Sequence, residues 1–161
     1  MLQKTGDDLK KVNLGSADKK KSGYINVDIN PEANPDIVHD LNKPLPFENN
    51  SIDEINADYL IEHISNINLL FDECSRVLKT HGTLYISTPN AFFWRNRLKF
   101  LFGTFNDCSA YHIWHCWLYK PSQLKILLQS RGFRVEIQGH GLLPYPDLFY
   151  FNFRLKAVKI P

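Results

Sequence analysis

Two residues at the ends of neighbouring predicted strands carry the chemistry of nucleoside binding. Gly15 follows one strand, and Asp28 ends the next. In an open α/β sheet, ligands bind where the carboxyl ends of the strands meet. A glycine there lets a ligand approach the backbone, and a carboxylate accepts hydrogen bonds from ribose hydroxyls. The pair predicts a nucleoside-binding crevice. The alternative for Asp28 is a carboxylate that caps a turn before Pro31.

Three histidines are candidates for proton transfer. His63 follows Glu62 in a predicted short helix, and His112 and His115 lie in an aromatic-rich segment with Tyr111. Histidine titrates near neutral pH, so each can serve as a general base. The alternative for the Glu62-His63 pair is a helix that buries its apolar residues while these two polar groups pair locally.

The histidine segment also contains residues that zinc prefers as ligands. Cys108, His112, His115 and Cys116 offer thiolate and imidazole groups. Their C-x3-H-x2-H-C spacing is not one of the common structural zinc patterns. His115 and Cys116 are chain neighbours, which makes joint ligation awkward. We therefore expect an aromatic-rich loop with incidental polar residues and no metal site.

Strands and helices must position these groups. Strands are predicted at about 11–15, 24–29, 36–40, 52–57, 83–87, 133–137 and 147–158, a short helix at 59–64, and longer helices at 66–82, 92–102 and 121–132. The alternation in the second half implies a parallel sheet covered by helices. Residues 16–23 and 30–35 are too short for helical crossovers, which take about a dozen residues or more. One face near the first three strands is thus poorly covered, and we expect a homodimer or partner surface there.

Composition bounds the remaining possibilities. The chain has 161 residues, of which 43% are apolar and 22% charged, and we expect one domain over 1–161. A net charge of +2 does not provide the broad basic face that nucleic acid requires, so no nucleic acid is expected. Three cysteines without regular spacing indicate a reducing compartment. With a polar N-terminus and no apolar run of about 20 residues, the expected location is the cytoplasm.

A series of segments in fixed order then resembles a known family. They are Asn13-Leu14-Gly15-Ser16-Ala17, Gly23-Tyr24-Ile25-Asn26-Val27-Asp28, Asp40-Leu41, Pro44-Leu45-Pro46-Phe47, Ser51-Ile52-Asp53, Leu60-Ile61-Glu62-His63, Arg76-Val77-Leu78-Lys79 and 82–90. The series resembles class I S-adenosylmethionine-dependent methyltransferases of the type 11 subgroup, closely over 11–90 and more loosely beyond. The resemblance implies a Rossmann-like three-layer α/β fold. Its mostly parallel seven-stranded sheet would have an antiparallel last strand and, here, reduced helices around the first strands.

The resemblance also implies a cofactor, S-adenosylmethionine, lying across the strand tips. The residues implied to bind it are Gly15, Ser16 and Ala17 at the methionine part, Asp28 and Ile29 at the ribose, Asp40 and Leu41 beside the adenine, and Ala57, Asp58 and Tyr59 near the sulfonium. The spacing of the residues also supports this cofactor, independently of the resemblance. Asp28 lies thirteen positions after Gly15, against roughly 20 in a dinucleotide fingerprint, which disfavours a nicotinamide or flavin cofactor. No P-loop motif is present.

Two hypotheses for function follow. The first is methyl transfer to a small-molecule, lipid-linked or saccharide acceptor. An oxygen or carbon acceptor would need a base, whereas a neutral amine needs less help. Residues 92–100 mix large apolar and basic groups, as interfacial helices do, which favours an amphiphilic acceptor or peripheral membrane contact. The second hypothesis is a degenerate methyltransferase fold used for binding. It rests on the missing helices and on Ala17 and Lys19, which stand where the family commonly has glycines.

Overall fold

A computed structural model describes residues 9–90, 92–102, 115–139 and 152–161, and these residues form a seven-stranded sheet. The strands are β1 Lys11–Leu14, β2 Ile25–Asp28, β3 Ile37–Val38, β4 Ile52–Asp58, β5 Leu78–Pro89, β6 Phe133–Gly139 and β7 Asn152–Lys159. Their order is β3-β2-β1-β4-β5-β7-β6. β1 to β5 pair in parallel, and β7 runs antiparallel to both β5 and β6. The predicted sheet with its antiparallel last strand is confirmed.

The described residues contain three α-helices, and none of them lies among the first three strands, as predicted. They are α1 Ile67–Val77, α2 Trp94–Leu101 and α3 Pro121–Gln129, with single 3-10 turns at Pro31–Ala33 and Ile61–His63. Asn66 caps α1 by accepting a hydrogen bond from the backbone N–H of Leu69 at 3.1 Å, as expected. No α-helix lies between β1 and β2 or between β2 and β3. None of the helices in the described ranges combines the length and apolarity that crossing a bilayer requires.

One face of the sheet is apolar and carries the core. Its central rows include Val12, Ile55 and Leu84, which lie opposite one another in β1, β4 and β5. These residues share one buried cluster with the inward faces of α1 and α3, where Phe71 and Leu124 are at most 1% exposed. At about 25 cal/mol per Å² of apolar surface removed from water, this cluster supplies the main stabilisation of the fold.

The opposite face of the sheet is polar, which explains why the first strands need no helices to cover that face. Asn13 donates to Asn26 at 3.0 Å and accepts from Asn56 at 2.9 Å, and Arg154 reaches Asn56 at 3.3 Å while stacking over Tyr85. The buried amides are therefore hydrogen-bonded along the sheet, and burying them costs little. A homodimer or partner surface near these strands stays a prediction.

The predicted end of the helix at His81 and Gly82 is wrong. α1 ends at Val77, and the next residue, Leu78, has extended backbone and pairs with Ile52 in β4. His81 does adopt the expected left-handed conformation, with φ of 67°, but it does so inside β5. The prediction continued the helix for five residues beyond Val77, whereas burying Leu78 completely in the core selects strand.

The final predicted strand lies only partly among the described residues. β7 starts at Asn152, and residues 147–151 of the predicted strand lie outside the described part of the chain. α3 begins at Pro121 as expected and ends at Gln129. The left-handed glycine that follows, Gly132 with φ of 79°, leads directly into β6.

Candidate functional site

A cleft of about 220 Å³ opens at the carboxyl ends of β1 and β4. It is lined by Asn13, Gly15, Ser16, Ala17, Asp18, Lys19, Lys21, Asp58 and Tyr59. The sequence analysis placed five of these residues at a cofactor: Gly15 to Ala17, Asp58 and Tyr59. The parallel pairing of β1 with β4 brings the two groups together although about 40 positions separate them in the chain.

Gly15 is required at the floor of the cleft for two reasons. Its φ is +66°, a conformation that L residues with a Cβ adopt at a cost of roughly 1–2 kcal/mol. A Cβ added there would also lie 2.7 Å from Cδ1 of Leu60, which is itself buried. The backbone of the strand tip therefore stays uncovered, as close approach by a ligand requires.

Asp28 binds the loop that follows β1. Its Oδ2 accepts from the Ala17 N–H at 2.8 Å, and its Oδ1 accepts from the Asn30 N–H at 2.9 Å. The second contact is the turn cap that the sequence left open as an alternative. Each carboxylate oxygen has two acceptor sites, so one bond to each leaves capacity for a ligand. Ala17 has φ of 41°, so the residue that replaces a family glycine takes the left-handed conformation nonetheless.

An ion pair spans the cleft between Lys21 and Asp58. Lys21 Nζ lies 2.8 Å from Asp58 Oδ2, and the Ser87 hydroxyl donates to Oδ1 at 2.8 Å. Burial opposes ionisation of this carboxyl, but hydrogen bonds from Lys21 and Ser87 hold the pKa of Asp58 below its usual range. The cleft thus presents one ammonium and one carboxylate side by side.

The residues present fit a polar ligand. The Ser16 hydroxyl oxygen is buried and lacks a hydrogen-bond partner within the described part of the chain. Buried hydroxyls are normally hydrogen-bonded, so this oxygen marks a position for a ligand or solvent atom. Tyr59, with φ of 51°, is half exposed at the rim and also borders a second depression of about 290 Å³ beside β7.

The other residues implied at the cofactor lie along the same sheet edge with differing exposure. Ile29 is 62% exposed directly after Asp28, where its side chain is open to a ligand. Leu41 and Ala57 are buried in the core, so a ligand reaches only their backbone. Asp40 caps its own turn through hydrogen bonds from Asn42, which hold the pKa of Asp40 below its usual range.

The structure brings His63 and His115 together across 52 chain positions. Their ring centroids lie 4.9 Å apart in an edge-to-face arrangement. Glu62 is buried next to them, with its donor atom within 4.8 Å of theirs, and accepts from the Thr88 hydroxyl at 3.0 Å. His112, the third predicted catalytic residue, lies outside the described part of the chain together with Cys108 and Tyr111.

Tyr119 lies near Cys116 and Glu62. Its hydroxyl is buried and has no hydrogen-bond partner among the described residues. Burial, and then the nearby Cys116 and Glu62, raise the pKa of Tyr119 to about 12, so its phenol stays protonated near neutral pH. Sequence analysis missed this residue, and also Lys21 and Leu60. Their roles depend on contacts between distant segments, for which the sequence carries no local signal.

Comparison with known proteins agrees with the fold and the cleft. A family model described as a methyltransferase domain matches residues 6–138. The rat mitochondrial ubiquinone biosynthesis O-methyltransferase is 27% identical over 108 residues, covering 62% of this chain and 30% of that protein. A probable S-adenosylmethionine-dependent methyltransferase of Mycolicibacterium smegmatis is 31% identical over 101 residues, covering 63% and 36%. The chain thus spans about a third of the length of these curated relatives.

A solved structure shows the same architecture. A SAM-dependent methyltransferase from Archaeoglobus fulgidus superposes with a TM-score of 0.72 at 18% identity, covering 94% of this chain and 86% of that one. At this identity the likeness concerns the fold alone. The family match extends over most of the chain and includes the whole cleft. The chain therefore belongs to the S-adenosylmethionine-dependent methyltransferases of class I, with S-adenosylmethionine as its cofactor.

Proposed function

We propose that this methyltransferase methylates a hydroxyl oxygen of an amphiphilic, lipid-linked small molecule. The observation that carries the proposal is the His63–His115 pair next to the buried Glu62. S-adenosylmethionine supplies an electrophilic methyl group on its sulfonium. The protein must bind the cofactor, orient the acceptor and remove the acceptor's proton.

The cleft provides groups for the amino acid end of the cofactor. That end carries an ammonium and a carboxylate, and Asp58 and Lys21 offer the complementary charges. Ser16 adds a buried hydroxyl that finds no hydrogen-bond partner among the residues described. Asp28 and the exposed Ile29 extend the same edge towards β2, which supports ribose and adenine contacts there. The cleft volume of about 220 Å³ is below the 300–1,000 Å³ typical of ligand pockets, so part of the cofactor would lie along the open sheet edge.

Deprotonation of a hydroxyl is the step that the histidine pair supports. An alcohol or phenol is a weak nucleophile until its proton leaves, whereas a neutral amine needs no such group. His63 is exposed, so an acceptor can reach it from solvent, and His115 faces it edge to face. The rat relative is named as an O-methyltransferase, which agrees with an oxygen acceptor.

The surface of α2 supports an amphiphilic acceptor rather than a free sugar. Trp94, Leu98, Leu101 and Phe102 recur at helical spacing and are between 38% and 77% exposed. Basic residues occupy the same helix, at Arg95, Arg97 and Lys99. An exposed apolar stripe beside cationic groups is typical of helices that lie at an anionic lipid surface. We therefore propose that α2 makes the peripheral membrane contact.

Cofactor binding is tested by calorimetric titration with S-adenosylmethionine and S-adenosylhomocysteine. We expect the wild type to bind both and Asp28→Ala to bind at least 10-fold more weakly, with Asp72→Ala on α1 as the matched surface control. Asp28→Asn removes the charge but keeps an oxygen that can accept the hydrogen bond of the turn. It therefore separates the effect of the lost charge from that of a disordered loop, and an unchanged circular dichroism spectrum checks that the variant is folded. Equal binding by both Asp28 variants and the wild type would remove Asp28 from the site. No binding by the wild type would favour a degenerate fold.

Membrane contact is tested by sedimentation with vesicles of phosphatidylcholine alone or with phosphatidylserine. We expect binding that requires the anionic lipid and falls at least 10-fold in the double variant Leu98→Glu, Leu101→Glu. Ile126→Glu is the control, because Ile126 is 68% exposed on α3, apart from the stripe. Equal sedimentation of the wild type and the double variant would contradict the assignment to α2.

A further inference from the structure

We infer that Glu62, His63 and His115 form a binding site for a divalent transition-metal ion of the Zn²⁺ class. The donor atoms of the three side chains all lie within 4.8 Å of one another. This set differs from the cysteine and histidine run considered in the sequence, because two of its members come from the turn after β4. The inference departs from the expectation of no metal.

The donor types suit a site that keeps an open coordination position. Two imidazoles and one carboxylate are the three protein ligands of one class of catalytic zinc centre, whose fourth position holds water or substrate. The same set also binds other divalent transition metals with open positions. Harder ions such as Mg²⁺ and Ca²⁺ prefer oxygen ligands throughout, and two imidazoles disfavour them.

To bind one metal ion, the three donor atoms need to move only a short distance towards one another. With bonds of about 2.1 Å, tetrahedral ligand atoms lie about 3.4 Å apart, so the donors must approach by at most about 1.4 Å. His63 is at the surface, where its side chain has room to change rotamer. Glu62 is 3% exposed, and the hydroxyl of Thr88 donates to its Oε2, an outer contact of the kind that orients ligating carboxylates.

Backbone contacts hold the segment that carries His115 against the turn that carries the other two ligands. The Cys116 N–H donates to the Glu62 carbonyl at 2.7 Å. The Cys116 thiol lies 3.8 Å from the carbonyl oxygen of His63. Cys116, the residue next to His115, thus contacts the backbone of both Glu62 and His63. The three proposed ligands are therefore brought together by the fold, without a metal ion. Such preorganisation lowers the ordering cost of binding.

The metal would act on the acceptor, and this step rests on the proposed function. A cation held by Glu62, His63 and His115 would lower the pKa of a hydroxyl at its open position, so that the O–H proton would pass to water. The oxygen electron pair then forms the O–CH₃ bond, while the S–CH₃ bond breaks and its electron pair stays on sulfur. In this arrangement the histidines hold the metal through neutral nitrogens instead of taking the proton themselves.

The test is Zn²⁺ titration of the chelator-stripped full chain, with Co²⁺ absorption as a second readout. We expect one ion per chain and a loss of at least 10-fold in affinity for each of Glu62→Gln, His63→Ala and His115→Ala. His39→Ala and His81→Ala are controls, because neither histidine belongs to this cluster. Unfolding temperatures check that each variant folds. Wild type that binds no Zn²⁺, or variants that bind as the wild type does, would overturn the proposal.

A second comparison separates this site from the cysteines. Cys108→Ser and Cys116→Ser should retain Zn²⁺ affinity, and the Co²⁺ spectrum should lack sulfur-to-metal charge transfer. Loss of binding in both cysteine variants with retention in His63→Ala would overturn the assignment. Cofactor titration on the same samples keeps the two proposals distinct. Absent Zn²⁺ binding with intact S-adenosylmethionine binding rejects the metal alone, whereas histidine-dependent Zn²⁺ binding supports the site whatever the cofactor result.

Discussion

Replacement of Gly15 by alanine tests how the strand tip forms the cleft. The new Cβ would lie 2.7 Å from Leu60 Cδ1 and 3.3 Å from Cγ, both side-chain atoms of a buried residue. Overpacking of this kind costs about 1–3 kcal/mol. The left-handed φ of +66° adds roughly 1–2 kcal/mol for a residue with a Cβ. We expect Gly15→Ala to lower the free energy of unfolding by about 2–5 kcal/mol.

Gly23 provides a matched control for the strain alone. Its φ is +77°, and a Cβ added there meets nothing within 4 Å. Gly23→Ala should therefore cost only the roughly 1–2 kcal/mol of backbone strain. The difference between the two variants, about 1–3 kcal/mol, measures the contact with Leu60. Urea unfolding followed by tryptophan fluorescence gives both free energies.

The double variant isolates the contact directly. Leu60→Ala removes the side chain that the new Cβ would meet, so Gly15→Ala should cost about 1–3 kcal/mol less in that background than in the wild type. Leu60→Ala itself should cost about 2–5 kcal/mol, because it empties a buried position. Equal costs for Gly15→Ala and Gly23→Ala, with no coupling to Leu60, would refute the packing argument and leave only backbone strain.

Three further predictions concern groups on α1. Arg76 donates to both carboxylate oxygens of Glu73, at 2.7 and 2.6 Å. Arg76→Met should therefore lower the free energy of unfolding, measured in urea, by about 2 kcal/mol. A change below about 0.5 kcal/mol would show that the pair contributes little. The bond from Arg76 lowers the pKa of Glu73, so the stability it contributes is complete above the usual value of 4.5 and is lost as pH falls through the lowered pKa. The stability advantage of the wild type over Glu73→Gln should accordingly shrink as the pH falls below 4.5, and a pH-independent advantage would contradict this cause. Burial raises the pKa of the Cys74 thiol to about 12, whereas Cys116 is exposed. In a Cys108→Ser background one thiol should therefore react with an aromatic disulfide reagent in the native state and two after unfolding; fast reaction of both in the native protein would show that α1 opens readily.

Several features follow from the sequence because they depend on neighbours along the chain. The alternation of apolar and polar residues in the strands predicts which face carries the core, since successive side chains in a strand point to opposite sides. Asn66 predicts the start of α1, because an N-cap needs only its own side chain and the next turn of backbone. Short loops after β1 and β2 predict the reduced helices, since a crossover helix needs more residues than these loops contain.

Tertiary structure decided the features that depend on distant contacts. α1 ends at Val77 because Leu78 gains more by burial against β4 than by another residue of helix. Lys21 reaches Asp58, and His115 reaches His63, only because the sheet brings their segments to one edge. Local sequence thus determines which residues lie at the strand ends that form the cleft of a methyltransferase. The charge pair in the cleft and the histidine pair beside it depend on the order of strands, because non-local contacts form only when the whole sheet assembles.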